Sequence, residues 1–159
     1  MIATSITVPV NGDGPAGEEP LTREQIWRGL LMKARDARLF VPGCSACEVI
    51  DEGDGYIVRE AIINGIALKE IVSLEPQTKV TFHQVRGIWE GIIVNEVFDD
   101  ESGELQLRFY CLLSRRGAEP GGEEEQRDQA MFEGEKGYGP AMLKTIQTTR
   151  NLLKAGELA

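Results

Sequence analysis

The longest pattern in this sequence is an alternation of apolar and polar residues that continues from residue 46 to residue 114. A period of two places successive side chains on opposite faces of a strand, which is typical of half-buried antiparallel sheet. Turn-forming residues interrupt the alternation at 52–55, 64–65, 75–77, 86–87 and 99–103. The pattern therefore predicts six strands in hairpin succession. Residues 5–10 alternate polar and β-branched side chains and predict one earlier strand.

Asn64 and Gly65 form the strongest turn signal in the chain. A two-residue type I′ turn requires positive φ at both positions, and these two residue types tolerate it. The turn fixes the pairing of the strands on either side and places Arg59 opposite Glu70 on the more apolar face. An ion pair on the inner face of a sheet is unusual, and it makes these two residues the first candidates for a functional site.

A weaker turn signal at residues 86–87 predicts that Phe82 lies opposite Gly91 in the next hairpin. On the outer face of the preceding hairpin, Glu60 is expected to pair with Lys69. The inner face of the later strands is then large, rich in aromatic residues and supplied with a few polar groups, which suits a ligand pocket. Its members are Val80, Phe82, Gln84, Trp89, Gly91, Ile93, Asn95, Val97, Leu105, Leu107, Phe109, Cys111 and Leu113.

Two helices are expected outside the region of strands. Thr22 and Gln25 have the spacing of a capping box. The helix that follows them carries an apolar stripe of Ile26, Trp27, Leu30, Leu31 and Ala34. Glycines and a proline in 134–140 delay the final helix to 141–155, and no structure is assigned to 123–133. The final helix is expected to face the sheet with Met142, Ile146, Thr149 and Leu153.

The composition predicts one folded domain over residues 1–159, since 42% of the residues are hydrophobic and 27% are charged. The formal net charge is −9 and the densest basic run is Arg115-Arg116, so nucleic acid is not an expected partner. The sequence shows no targeting segment and no apolar run of about 20 residues, which predicts a cytoplasmic protein without a membrane span. The three cysteines are expected to be reduced thiols. The oligomeric state has no sequence signal.

A resemblance to known proteins rests on four short segments in a fixed order: TREQIW at 22–27, FVPG at 40–43, VRE at 58–60 and LKE at 68–70. This order resembles the SRPBCC or START-like (plant allergen-like) superfamily, and more narrowly its AtaL-like family. The resemblance implies an α+β helix-grip fold, in which a seven-stranded antiparallel sheet wraps around a C-terminal helix, with short helices after strand 1. It also implies a hydrophobic cavity. Relatives include carriers, lipid-transfer domains, polyketide aromatase/cyclases and chaperone activators, so the resemblance selects no single reaction.

Cys44 and Cys47 form a CxxC motif, which in other proteins is a redox pair or half of a zinc site. A second pair of ligands is missing, because Cys111 belongs to another strand and His83 is expected on the outer face as a partner of Glu90. A single outward histidine also argues against a nucleophile with a base and an orienting acid. No phosphate-binding loop is present. The sequence therefore predicts neither a metal site nor a cofactor.

The sequence favours a protein that binds a small hydrophobic or amphiphilic ligand, such as a lipid-, aromatic- or polyketide-like molecule. The predicted contact residues are Arg59, Glu70, Leu68, Phe82, Trp89, Gly91, Asn95, Phe109, Tyr138 and Met142. Arg59 and Glu70 are alternatively a structural ion pair that fixes the sheet register. An enzyme of cyclase, dehydratase or hydrolase type stays open, in which Glu70 is a general base and Arg59 polarises a carbonyl. A protein-interaction module that uses the outer sheet face also stays open.

Overall fold

The computed structural model describes residues 1–12 and 18–159. The strands are β1 (Ile2–Pro9), β2 (Cys44–Gly53), β3 (Tyr56–Ile63), β4 (Ile66–Glu75), β5 (Lys79–Arg86), β6 (Trp89–Asp99) and β7 (Leu105–Arg115). The helices are α1 (Arg23–Arg35), a 3-10 helix (Ala37–Leu39), α2 (Glu123–Glu133) and α3 (Tyr138–Lys154). Within the loop expected after β1, residues 13–17 lie outside the described part. No helix among the described residues has the length and apolar character needed to cross a membrane.

The strands form one antiparallel sheet in the order β1-β7-β6-β5-β4-β3-β2. Strands β2 to β7 follow one another as hairpins, and β1 then pairs with β7, so that the first and last strands lie side by side. Helices α1 and α3 cover the more apolar face of the sheet, and together they enclose the core. This arrangement confirms the predicted α+β helix-grip fold, including the short helices after strand 1.

The register of the β3–β4 hairpin agrees with the prediction at every pair, from Ile63 opposite Ile66 to Arg59 opposite Glu70. Asn64 has a φ of 51°, as the turn requires. The predicted ion pair between Glu60 and Lys69 on the outer face is wrong, however, because Glu60 forms its ion pair with Arg86, at 3.5 Å.

The predicted register of the β5–β6 hairpin is wrong by two residues, because Phe82 lies opposite Ile93 and not Gly91. The two residues between these strands are Gly87 and Ile88, so the turn sits one position later than the sequence signal suggested. Gly87 has a φ of 135°, which a glycine adopts readily. A shift of two residues keeps every side chain on its predicted face, since strand side chains alternate with a period of two.

The first turn of α1 is held by the predicted capping box. The Gln25 backbone N–H donates to Thr22 Oγ1 at 3.2 Å, and the Thr22 N–H donates to Gln25 Oε1 at 2.9 Å. The helix buries its apolar stripe against the sheet and α3. Lys33 lies on the same stripe and is also buried.

Helix α3 begins at Tyr138, earlier than predicted, and Pro140 lies in its first turn. Proline is tolerated there because the first backbone N–H groups of a helix have no intrahelical partner. The prediction that Leu153 faces the sheet is wrong: Leu153 is exposed and Leu152 is buried. The buried residues near the end of α3 include Arg150 and Leu152, and Arg150 donates to the backbone carbonyl of Val10 in the segment after β1. The segment 123–133, left unassigned from sequence, is helix α2.

Helices α1 and α3 are in close contact where Gly29 faces Thr149, because a Cβ at Gly29 would overlap the threonine side chain. We expect Gly29→Ala to lower the free energy of unfolding by about 1–3 kcal/mol, the usual cost of overpacking. The control is Lys144→Ala on the exposed side of α3, which should change stability by no more than about 0.5 kcal/mol. Urea unfolding measures both. Equal stability of the two variants would contradict close packing of the helices.

Candidate functional site

Arg59 and Glu70 face each other across β3 and β4, on the side of the sheet that the helices cover. Arg59 Nε donates a hydrogen bond to Glu70 Oε2 at 2.6 Å. Each residue is only 4% exposed. Gln84, the next residue in this row on β5, donates from Nε2 to Glu70 Oε1 at 2.8 Å. Both carboxylate oxygens therefore accept hydrogen bonds, and the predicted inward ion pair is confirmed.

The Arg59 guanidinium also reaches the C-terminal turn of α1. Its Nη1 donates to the backbone carbonyls of Lys33 and Ala34 at 2.9 and 3.0 Å. Carbonyls in the last turn of a helix lack intrahelical partners, and the helix dipole favours a positive charge beside them. The guanidinium lies 4.8 Å from the centre of the Phe82 ring. One side chain thus joins α1 to strands β3, β4 and β5.

Lys33 extends its terminal nitrogen into the interior, and only 7% of the residue is exposed. Its Nζ donates to Asn95 Oδ1 at 2.9 Å and lies 4.2 Å from the centre of the Phe109 ring. Among the described residues no carboxylate forms an ion pair with this nitrogen. Burial and the charge of Arg59 lower the pKa of Lys33 to about 7, although Glu70 opposes the shift. At neutral pH the amine is therefore protonated only about half of the time.

Tyr138, the first residue of α3, lies beside the same ring. The ring centres of Tyr138 and Phe109 are 6.1 Å apart in an edge-to-face arrangement. The Tyr138 hydroxyl is buried and has no hydrogen-bond partner among the described residues. Burial raises the pKa of Tyr138, and the nearby Cys111 thiol adds to this shift without meeting hydrogen-bond geometry. A buried hydroxyl without a partner is costly, so Tyr138 is a candidate for contact with a ligand.

The inner face of the sheet is open towards its hairpin end. Gly91 is exposed there, and Leu68 and Gln84 are partly exposed. Ile93 lies in the middle of the sheet and is still partly accessible, because α3 packs mainly against α1, α2, β1 and β7. Asn95 follows two residues along β6 on the same face, a distance of about 7 Å. The uncovered surface therefore leads from the hairpin end towards Asn95 and the Lys33 amine.

Comparison with family models places this arrangement among known proteins. The model described as "AtaL: Acetylaranotin biosynthesis cluster protein L" matches residues 4–156. The chain belongs to the AtaL family. A comparison with curated proteins found no match.

Several solved structures share the fold of this AtaL-family chain. The Zhui aromatase/cyclase from Streptomyces sp. R1128 has a TM-score of 0.66 at 15% identity, covering 96% of this chain and 93% of its own. The di-domain ARO/CYC BexL from the BE-7585A biosynthetic pathway has a TM-score of 0.60 at 11% identity, covering 94% of this chain and 49% of its own. Ara h 8.0201 has a TM-score of 0.55 at 9% identity, covering 96% and 97%. Identities this low establish a shared fold and no activity.

Most of the predicted site residues of the AtaL-family chain lie inside the fold. Those that are buried there are Arg59, Glu70, Phe82, Asn95, Phe109, Tyr138 and Met142. Leu68 and Gly91 lie at the open hairpin end, and the φ of 116° at Gly91 is a conformation that favours glycine. Trp89 lies to one side, where its Nε1 donates to Asp128 Oδ2 at 2.8 Å and its ring packs against Phe132. Contact of these residues with a ligand stays a prediction.

Lys33 is the main residue that the sequence interpretation missed. A signal was present, because Lys33 lies seven residues after Ile26 and three after Leu30, which puts it on the apolar stripe of α1. A lysine in such a position usually extends its charged end to solvent. Only the tertiary structure reveals that the nitrogen points towards Asn95 instead.

The CxxC residues lie on one face of the edge strand β2, because a bulge between Cys44 and Ala46 changes the register there. Both thiols are free, and Cys47 Sγ lies 3.8 Å from the backbone carbonyl of Arg35. Burial raises the pKa of Cys44, which makes this thiol less reactive. The described residues contain no group of three or more metal-ligating side chains.

His83 lies on the outer face, as predicted, but its expected partner is wrong. Its Nε2 lies 3.1 Å from Ser73 Oγ, while Glu90 pairs with Arg116 at 3.2 Å. The two-residue shift in the β5–β6 register explains the difference, since it places Ile92 opposite His83.

An open depression of about 540 Å³ crosses β1, β6 and β7 on the outer face, where Ser5, Glu96 and Tyr110 line it. It contains none of the buried polar groups around Lys33, so we place the candidate site on the inner face.

The buried pair can be tested with Arg59→Met, Glu70→Leu and the double variant. Each single change should lower the free energy of unfolding by about 3–5 kcal/mol, because it leaves one buried charge without its partner. The double variant should lose much less than the sum. The exposed pair of Arg28 and Glu24 is the control, with an expected coupling of about 0.5 kcal/mol or less. Urea unfolding measures all six variants, and additive effects at Arg59 and Glu70 would contradict the coupling.

The pH dependence of stability tests the environment of Lys33. Its folded pKa of about 7 is below the ordinary lysine value, so the unfolded chain binds more protons between these two values. Compared with Lys33→Met, the wild type should gain up to about 1.4 kcal/mol of stability per pH unit as pH rises through this window. Below the folded pKa the cost of burying the charge is fully present. Urea unfolding measures the difference, with exposed Lys144→Met as the control. A difference that does not change with pH would disprove the shift.

Proposed function

We propose that the chain binds a small hydrophobic or amphiphilic molecule between the sheet and α3, with the polar end of the molecule beside Lys33, Asn95 and Tyr138. The buried, unpartnered Tyr138 hydroxyl carries this proposal. A hydrogen bond from this hydroxyl to a ligand oxygen would remove the cost of burying it. The Lys33 nitrogen has further hydrogen-bonding capacity, since its observed bond goes to Asn95 alone.

The apolar part of the ligand would occupy the uncovered inner face. Ile93 and Leu68 are partly accessible there, and the buried rings of Phe82 and Phe109 border the deeper end. Burial of apolar area supplies most of the affinity in such sites, while a few polar groups set the orientation of the ligand. The inner face matches this division of roles, because its uncovered apolar surface leads to the polar groups of Lys33, Asn95 and Tyr138.

The comparisons support a ligand of the aromatic or polyketide-like class. The description of the matching family names a biosynthesis cluster, and two of the structural neighbours above are described as aromatase/cyclases. The support is an analogy at the level of fold and family, so the chemistry of the pocket has to carry the assignment.

A cyclase-type enzyme is the second candidate, and the low pKa of Lys33 favours it. A general base works best when its pKa lies near the working pH, and the pKa of Lys33 is about 7. Glu70 is less suited to this role, because Arg59 and Gln84 already donate to its two oxygens. In such an enzyme Lys33 would be the base, and Arg59 with Glu70 would hold it in position.

Filling the proposed pocket should weaken binding of an apolar probe. Leu68→Trp adds bulk to the inner face, whereas Ala67→Trp adds the same bulk on the outer face one residue away. We expect Leu68→Trp to weaken binding of anilinonaphthalene sulfonate by about tenfold or more, because its apolar contact area is lost. Ala67→Trp should leave the affinity within about twofold. Fluorescence titration measures both, with circular dichroism to verify the fold.

Equal effects of the two substitutions would contradict an inner-face site. Extraction of the purified protein with organic solvent, followed by mass spectrometry, provides a second measurement. A co-purifying amphiphile that is lost from Leu68→Trp and kept by Ala67→Trp would identify the ligand class directly.

A further inference from the structure

Lys33 differs from every other lysine in the described part of the chain. Lys69 and Lys79 are partly exposed, and the remaining three are exposed, whereas Lys33 is buried. Burial of a lysine is costly unless it is paired, and Lys33 has one hydrogen bond, to an uncharged amide. A methionine would fill this position on the apolar stripe without that cost. The chain therefore keeps an amine at residue 33 although a methionine there would make the fold more stable. A residue kept at a cost in stability is typical of a functional site.

We propose that the Nζ of Lys33 is a nucleophile that forms an imine with the aldehyde or ketone group of a ligand bound on the inner face. This inference rests on the proposed binding function and names the chemical class of its ligand. The Nζ lone pair attacks the carbonyl carbon, a C–N bond forms as the C=O π bond breaks, and one proton passes from the nitrogen to the oxygen to give a carbinolamine. The hydroxyl group then departs with the second nitrogen proton. This loss of water gives the C=N bond. No electrons are gained or lost overall, and the reverse reaction is hydrolysis.

The nucleophile must be unprotonated, and the surroundings of Lys33 favour that form. Burial and the neighbouring Arg59 charge both disfavour the ammonium, with the pKa of Lys33 at about 7. A lysine with an ordinary pKa would be unprotonated in only about one molecule in 2,500 at neutral pH. Asn95 Oδ1 accepts a hydrogen bond from one N–H of Nζ, which leaves the lone pair of the neutral amine free to attack a ligand. Desolvation of a lysine beside another cation is a known way to activate its amine.

Tyr138 supplies the polar contact that the carbonyl oxygen needs. Both the Tyr138 ring and the Lys33 nitrogen border the Phe109 ring. The hydroxyl stays protonated because burial raises the pKa of Tyr138, so it acts as a hydrogen-bond donor towards an oxygen that gains negative charge during attack. The apolar walls limit water around the C=N bond and thereby oppose its hydrolysis.

The test uses the full chain, cinnamaldehyde as the probe and sodium borohydride to reduce any imine to a stable amine. Intact mass spectrometry should find one adduct per chain, and peptide mapping should place it at Lys33. The labelling rate should rise with pH and have its midpoint near the pKa of Lys33, about 7. Lys33→Met should lose the adduct, and the exposed Lys144→Met should keep it. Tyr138→Phe should slow labelling by about tenfold or more, a larger factor than the affinity for cinnamyl alcohol that the same change removes, because the hydroxyl contacts the oxygen most strongly during attack.

Labelling spread over exposed lysines, or a rate that rises only near the ordinary lysine pKa, would overturn the imine. Peptide mapping of the wild type gives this answer even if Lys33→Met fails to fold. Binding of cinnamyl alcohol separates the two proposals. If the alcohol binds in competition with anilinonaphthalene sulfonate and the aldehyde leaves no adduct at Lys33, the imine is wrong and the binding site stands. If neither the alcohol nor the sulfonate binds, the proposed function itself is wrong.

Discussion

Arg59 holds α1 in position over the sheet, and much of the interior follows from this contact. Burial of the guanidinium charge requires compensation by groups of opposite charge or by hydrogen-bond acceptors. Glu70 supplies the opposite charge, and the last carbonyls of α1 supply further acceptors. The helix end is thereby fixed against strands β3 and β4. Lys33 belongs to the same helical turn, and the direction of its side chain depends on that fixed end.

Lys33, Arg59 and Glu70 form one electrostatic unit in the interior. Arg59 and Glu70 cancel each other, so the cluster is neutral when the Lys33 amine is unprotonated and carries one buried positive charge when it is protonated. The chemistry of a ligand would shift this balance. An anionic head would stabilise the ammonium and raise the pKa of Lys33, whereas a neutral carbonyl would leave the amine free to react. A role as a non-covalent carrier and a role in covalent binding thus differ in whether the Lys33 amine holds its extra proton.

The fold could be predicted largely from local signals, while the site depended on contacts that are distant in sequence. Asn64 and Gly65 determine their hairpin because each adopts positive φ, and the inward Arg59–Glu70 pair follows from that turn. Gly87 alone did not determine which residue would accompany it in the next turn. The direction of the Lys33 side chain depends on Asn95, sixty-two positions later in the chain. No local pattern contains that information, and the same holds for the unpartnered Tyr138 hydroxyl.

The pairing of β1 with β7 has a consequence for how the protein folds. Ile2 lies opposite Leu113, so this part of the sheet forms only after most of the chain is available. Strands β2 to β7 can pair in sequence as neighbouring hairpins, but closing the β1 contact requires a large loss of chain entropy. During synthesis on the ribosome, β1 therefore has no strand to pair with until β7 emerges. The alternating polar residues of β1 reduce the tendency of the unpaired strand to aggregate.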